Sequence, residues 1–145
     1  MHNVRRQDMI PARIVTLLAL LMPVSVDASP GLLYAALFAC DPVRFTNAYV
    51  SWCKSAHPDI SNRFEAASAA WYDRNREVAA KSAASCEREI RSRSDSEGAA
   101  ESMLGELREQ QDKLFAAGAF PSRELCDSLL RSLVNGGADV EHVLR

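Results

Sequence analysis

Apolar positions along most of this chain recur three and four residues apart, the spacing of one face of an α-helix. Phe45, Ala48, Tyr49, Trp52, Cys53 and Ala56 make one such face and predict a helix over about residues 42–55. Asp41-Pro42 supplies an N-cap and a proline at the first helical position. His57-Pro58-Asp59 ends the helix, because proline disfavours helical geometry in the residue before it. A longer stripe follows. Ile60, Phe64, Ala67, Trp71, Val78, Ala79, Ser82, Cys86 and Ile90 predict a helix of roughly 33 residues by the same periodicity. Its opposite face carries Glu65, Asp73, Arg76, Lys81, Glu87 and Arg91, an alternation of charge that suits a solvated surface. Alanine and serine are dense along it, which favours helix and lets neighbours approach closely.

A polar break, Arg91 to Gly98, separates this helix from a third. Ser94 and Glu97 have the spacing of a capping box. Met103, Leu104, Leu107, Leu114 and Phe115 form the apolar face, with Gln110 and Gln111 between, and Gly118 is the expected terminator. Pro121-Ser122 opens a fourth helix, with Leu125, Cys126, Leu129, Leu130, Leu133 and Val134 expected to face inward and Asn135-Gly136-Gly137 to stop it. A short helix over Gly31 to Ala39 and a frayed last turn from Asp139 to Leu144 complete the expectation. No segment alternates as a strand does. Leu129 to Val140 looks like the end of an ankyrin repeat, but without a repeating period it does not predict a solenoid. The fold class expected is all-α, a disulfide-stapled bundle of about four helices.

The first 28 residues change the picture from fold to compartment. Arg5, Arg6 and Arg13 precede the apolar run Ile14 to Val26, and Val26-Asp27-Ala28 follows with modest side chains. That order is the one found in a cleaved secretory signal. A spanning helix needs about 20 apolar residues, more than this run supplies, and Pro23 interrupts it. Residues 1–28 are therefore expected to be a signal peptide and residues 29–145 a single exported helical domain, periplasmic or extracellular. Retention of the run as an anchor is the competing outcome. Leu37-Phe38-Ala39-Cys40 also resembles a lipoprotein cleavage box, although Phe38 is bulky for one. Cleavage removes three Arg and two Asp from 17 basic and 19 acidic residues, leaving 14 and 17 and a net charge of −3. Such a balance gives no support for nucleic-acid binding, which shows a basic excess gathered on one face.

Cys40, Cys53, Cys86 and Cys126 all lie beyond the leader. An even count in an exported chain reads as two disulfides, and no pair has the close spacing of zinc ligands or of a Cys-x-x-Cys redox motif. Three pairings are possible. Cys40 and Cys53 bracket one helix, which holds them roughly 18 Å apart at about 1.5 Å per residue. That exceeds the roughly 7 Å a disulfide tolerates. Cys86 lies about 40 Å along the long helix from the turn beside Cys53, by the same rise. Cys40–Cys86 with Cys53–Cys126 is the favoured arrangement, making a rigid scaffold.

Candidates for chemistry are few. His57 precedes a proline in a turn and His142 lies near the C-terminus. No serine sits in a Gly-x-Ser-x-Gly elbow, and Gly136-Gly137 is a helix stop without the strand and lysine of a phosphate loop. No catalytic, cofactor-binding or metal-ligating residue is nominated and no cofactor is expected. The densest unusual feature is Trp71-Tyr72-Asp73-Arg74-Asn75. One reading makes Trp71 a core residue beside an asparagine that bonds a buried group. The other is a recognition pocket, with Trp71 and Tyr49 as walls and Asn75 and Arg74 as polar anchors.

The set Cys53, Pro58, Phe64, Trp71, Arg74-Asn75 and Cys86 resembles small exported bacterial proteins of unknown function, which share a Trp-x-x-Arg-Asn helix framed by cysteines. The resemblance implies an exported bacterial protein and carries no activity. The function expected is a non-enzymatic interaction or scaffold protein whose partner is an envelope or extracellular protein or a small ligand, with no nucleic acid and no stable membrane insertion after cleavage. A thiol-redox protein or other small enzyme, and a membrane-tethered envelope structural protein, are the rivals.

Overall fold

The computed structural model describes residues 30–116 and 120–145. The expected leader, residues 1–28, lies outside the described residues, as does Gly118. Six α-helices run in order among the described residues: α1 Pro30–Cys40, α2 Pro42–Ala56, α3 Ser61–Arg93, α4 Glu97–Ala116, α5 Arg123–Asn135 and α6 Val140–Val143. A single 3-10 turn, Pro58–Ile60, links α2 to α3. The fold is an all-α bundle stapled by two disulfides. None of the described helices is long and apolar enough to cross a membrane.

The long helix α3 is the spine, and every other helix packs against it. Its 33 residues extend about 50 Å at the α-helical rise. Phe64, Ala67, Trp71, Asn75, Ala79, Ser82, Cys86 and Ile90 are buried along one stripe, at the three- and four-residue spacing that defines a helix face. Ser82 belongs to this stripe because its hydroxyl donates to the Ala39 carbonyl at 2.6 Å, satisfying the open C-terminal end of α1.

Local chemistry sets the helix ends. Asp41 accepts from the Arg44 amide at 3.0 Å, and Pro42 occupies the first turn of α2. Ser122 caps α5 by accepting from the Leu125 amide at 3.1 Å. Gly136 ends α5 at φ 85°, a left-handed conformation that glycine adopts without steric cost. The capping box expected at Ser94 and Glu97 is not formed. The Ser94 hydroxyl donates to the Ile90 carbonyl at 2.7 Å and closes α3, while Ser96 caps α4 by accepting from the Ala99 amide at 3.1 Å. Glu97 is instead drawn to Arg91, which also engages Glu87 and Glu101, and this triple contact raises the guanidinium's pKa above its ordinary value.

Two helix faces sit differently from the expected stripes. In α2 the buried residues are Pro42, Phe45, Thr46, Val50 and Cys53, while Ala48, Trp52 and Ala56 are half-buried. In α5, Cys126, Leu130 and Leu133 set the core face at i, i+4 and i+7. Leu125 and Val134 lie one residue, about 100°, outside that face and are 42% and 67% exposed.

Cys40 pairs with Cys86, with Cα atoms 5.1 Å apart, and Cys53 with Cys126, with Cα atoms 5.6 Å apart. The first tie fixes α1 to α3 and the second fixes α2 to α5. With its sulfur in that bond, Cys40 has no thiol to carry the lipid of a lipoprotein. The loops closed span 46 and 73 residues, for which chain entropy predicts about 4 kcal/mol of stabilisation each.

Candidate functional site

The four residues read from the sequence as a recognition pocket separate into two places. Trp71, Arg74 and Asn75 face the C-terminal end of the chain and fasten it. Trp71 is 1% exposed, and its indole Nε1 donates to the Ala138 carbonyl at 2.8 Å. Asn75 is buried and uses both ends of its amide. Its Nδ2 donates to the Trp71 carbonyl at 2.8 Å and to Asp139 Oδ1 at 2.9 Å, and its Oδ1 accepts from the Val140 amide at 2.9 Å. Arg74 Nη2 donates to the Leu133 carbonyl at 2.6 Å and to Asp139 at 3.2 Å. The Leu133 carbonyl is one of the last in α5, which have no partner inside their own helix. All three side chains are thus committed to the chain's own backbone. The last turn expected to fray is held firmly, with Val140 wholly buried.

Tyr49 lies elsewhere, in a cluster of aromatic rings. Phe115 of α4 stacks edge-on to Phe45 with centroids 5.4 Å apart, and meets Tyr49 at 5.6 Å and Trp52 at 5.9 Å. Phe38 and Tyr34 of α1 extend the cluster from the other side of Phe45, at 5.7 and 6.1 Å. These distances fall in the favourable range for aromatic pairs. The reason they meet is helical spacing: Phe45, Tyr49 and Trp52 stand at i, i+4 and i+7 on α2, and Tyr34 and Phe38 at i and i+4 on α1.

These six rings do not seal into a closed core. They line one side of an open groove of about 610 Å³. Leu125, Ser128, Leu129 and Ser132 of α5 face them, and Gly137, Ala138 and Val143 close one part of the wall. None of the described lining residues is charged. Tyr34, Leu125 and Val143 are each more than 40% exposed at its rim. Burial raises the Tyr49 phenol above its ordinary pKa, and Tyr34 adds to the shift, so Tyr49 is a neutral hydroxyl near pH 7. The volume lies within the range of small-molecule sites, which are mostly apolar with a few placed polar groups.

Ala138 joins the two places, since it lines the groove while its carbonyl accepts from Trp71. Trp71, Arg74 and Asn75 themselves do not line the groove. The sequence reading found Tyr49 and missed Tyr34, Phe38, Thr46, Phe115 and Ser132 as groove residues. Their signal was present as a surplus: six of the chain's ten aromatic residues gather here. No group of three His, Cys, Asp or Glu among the described residues is placed to hold a metal ion. No protein-family model matches the chain, and no curated protein or solved structure shows significant similarity to it.

Proposed function

We propose that this chain is an exported, non-enzymatic binding protein whose aromatic groove takes a neutral, largely apolar small ligand. The observation that carries the reading is the groove itself. Six aromatic rings border about 610 Å³, and none of the described lining residues is charged. Each square ångström of apolar surface left in water forgoes roughly 25 cal/mol of burial free energy. A ligand that covers these rings recovers that term and adds ring stacking. Export is supported by the signal-like first 28 residues, by the two disulfides and by the resemblance carried by Trp71, Arg74 and Asn75.

The chain has two tryptophans, and only Trp52 lines the groove. Titration with the neutral dye N-phenyl-1-naphthylamine is expected to give saturable binding, with energy transfer from tryptophan that falls in Trp52→Phe while binding persists. Phe115→Ser is expected to weaken the binding at least tenfold. Dye uptake that does not saturate, or that is undiminished in Phe115→Ser, overturns the reading. Export is tested by intact mass of the secreted protein: a chain starting at Ser29 is expected, and one that retains Ile14 to Val26 refutes cleavage.

A further inference from the structure

Among the groove hydroxyls that bond no described residue, that of Thr46 belongs to the one buried residue. Thr46 of α2 is 4% exposed and lines the groove between Phe45 and Tyr49 in sequence. A helical threonine ordinarily donates back to the carbonyl three or four residues earlier. Thr46 makes neither bond, and no other described residue bonds its hydroxyl. It is also not sealed away. The only wholly enclosed side-chain polar atom without a partner, among the described residues, is Gln111 Nε2. The Thr46 oxygen is therefore not wholly enclosed, and the open space that the residue borders is the groove.

A hydroxyl on a nearly buried groove residue that bonds no protein group is left to bond whatever occupies the groove. We infer that the groove's ligand is a neutral ring-bearing molecule that carries a hydrogen-bonding oxygen, a hydroxyl or a carbonyl, and that Thr46 Oγ1 bonds that oxygen while the surrounding rings hold the body. This rests on the groove reading above and adds the chemical class. The rings give the shape preference, because flat faces stack at 4.5–7 Å between centroids. With no charge among the described lining residues, an ionised ligand group there would stand unpaired and partly desolvated. The oxygen supplies what a plain hydrocarbon lacks. Ser132 of α5 is half-buried in the same lining and its hydroxyl also bonds no described residue. It offers a second contact across the groove, so a ligand with two oxygens is held at both walls.

The test compares naphthalene with 2-naphthol, which share a ring body and differ by one hydroxyl. Each is titrated into the full-length exported protein and into Thr46→Val, Thr46→Ser and Ser132→Ala variants, with helical circular dichroism confirming the fold of each. The parent is expected to bind 2-naphthol about five- to tenfold more tightly than naphthalene, the worth of one hydrogen bond made in place of an unpaired group. Thr46→Val is expected to abolish that preference while leaving naphthalene binding unchanged, and Thr46→Ser to restore it. Equal binding of the two probes by the parent, or a preference that survives Thr46→Val, overturns this inference and leaves the groove reading standing. Binding of neither probe overturns both. Loss of the preference in Ser132→Ala alone places the oxygen at α5 and overturns the assignment to Thr46.

Discussion

Asn75 offers the sharpest test of how the C-terminal end is held. Asn75→Ala removes three hydrogen bonds at once, of 2.8, 2.9 and 2.9 Å. Their values differ. The Trp71 carbonyl sits within the helix and loses only an extra donor, so that bond counts for little. The Val140 amide belongs to a residue with no exposed surface and is left without its acceptor, which costs about 1–3 kcal/mol. The bond to the Asp139 carboxylate is charge-assisted, worth about 1.5–3 kcal/mol, part of which Arg74 retains through its own contact. The expected loss is about 3–5 kcal/mol. Natural domains hold about 5–15 kcal/mol in all, so this is a large share of the whole.

Urea denaturation followed by helical circular dichroism gives that loss directly, and amide exchange at Val140 reports it locally. Asn75→Asp adds a sign test. It keeps an acceptor for Val140, but sets a carboxylate where the parent donates to Asp139. It is expected to destabilise strongly at neutral pH and less once acid neutralises one of the two carboxyl groups. A double-mutant cycle of Asn75→Ala with Asp139→Ala is expected to show coupling above about 1 kcal/mol. A loss under about 1 kcal/mol in Asn75→Ala, or additive behaviour in the cycle, refutes the reasoning. The variant also bears on function, since Gly137, Ala138 and Val143 line the groove and hang from the turn that Asn75 secures.

Trp71→Ala is expected to cost about 3–5 kcal/mol in urea unfolding, as an emptied aromatic core site does; a variant that melts like the parent and merely loses ligand refutes the packing role. Gln111 is 2% exposed with its Nε2 unpaired, so Gln111→Met is expected to raise stability by about 1–2 kcal/mol, and a lower melting temperature contradicts this. Stepwise reduction followed by alkylation and peptide mapping is expected to label Cys40 and Cys86 before Cys53 and Cys126. The latter pair has no exposed surface, whereas Cys40 is partly exposed; simultaneous labelling of all four defeats the prediction.

The helices themselves were legible because their signals are local. Pro42, His57-Pro58, Ser122 and Gly136 mark ends through bonds made within a few residues, and the stripe from Ile60 to Ile90 needs only helical geometry. Legibility failed where a competing long-range or electrostatic partner decided the outcome. Ser94 and Glu97 had capping spacing, yet Ile90 took the hydroxyl and Arg91 the carboxylate. Leu125 and Val134 read as core by composition, and only the placement of Cys126 against Cys53 shows which face of α5 turns inward. The site was harder still. Tyr49 and Trp71 lie on adjacent helices and were joined into one pocket, whereas the groove draws its walls from α1, α2, α4, α5, α6 and the turn before α6. No pairwise spacing along the chain encodes a convergence of so many elements.

The separation of those two places carries its own argument. Around Trp71 the indole, the Asn75 amide and the Arg74 guanidinium each bond a backbone group, and the result is closed. Around Phe115 the rings are as large and pack edge-on to one another, yet Tyr34 and Leu125 stay more than 40% exposed and the Thr46 and Ser132 hydroxyls bond no described residue. A core that merely needed volume could have buried this cluster as it buried Phe64 and Trp71. Both disulfides reach the helices that form the groove: Cys40 anchors α1, and Cys53 with Cys126 locks α2 against α5. The cross-links thus hold the walls at a fixed separation across an opening that hydrophobic collapse alone tends to close. A groove kept open against that tendency is preorganised, and preorganisation lowers the entropy a ligand must overcome on binding.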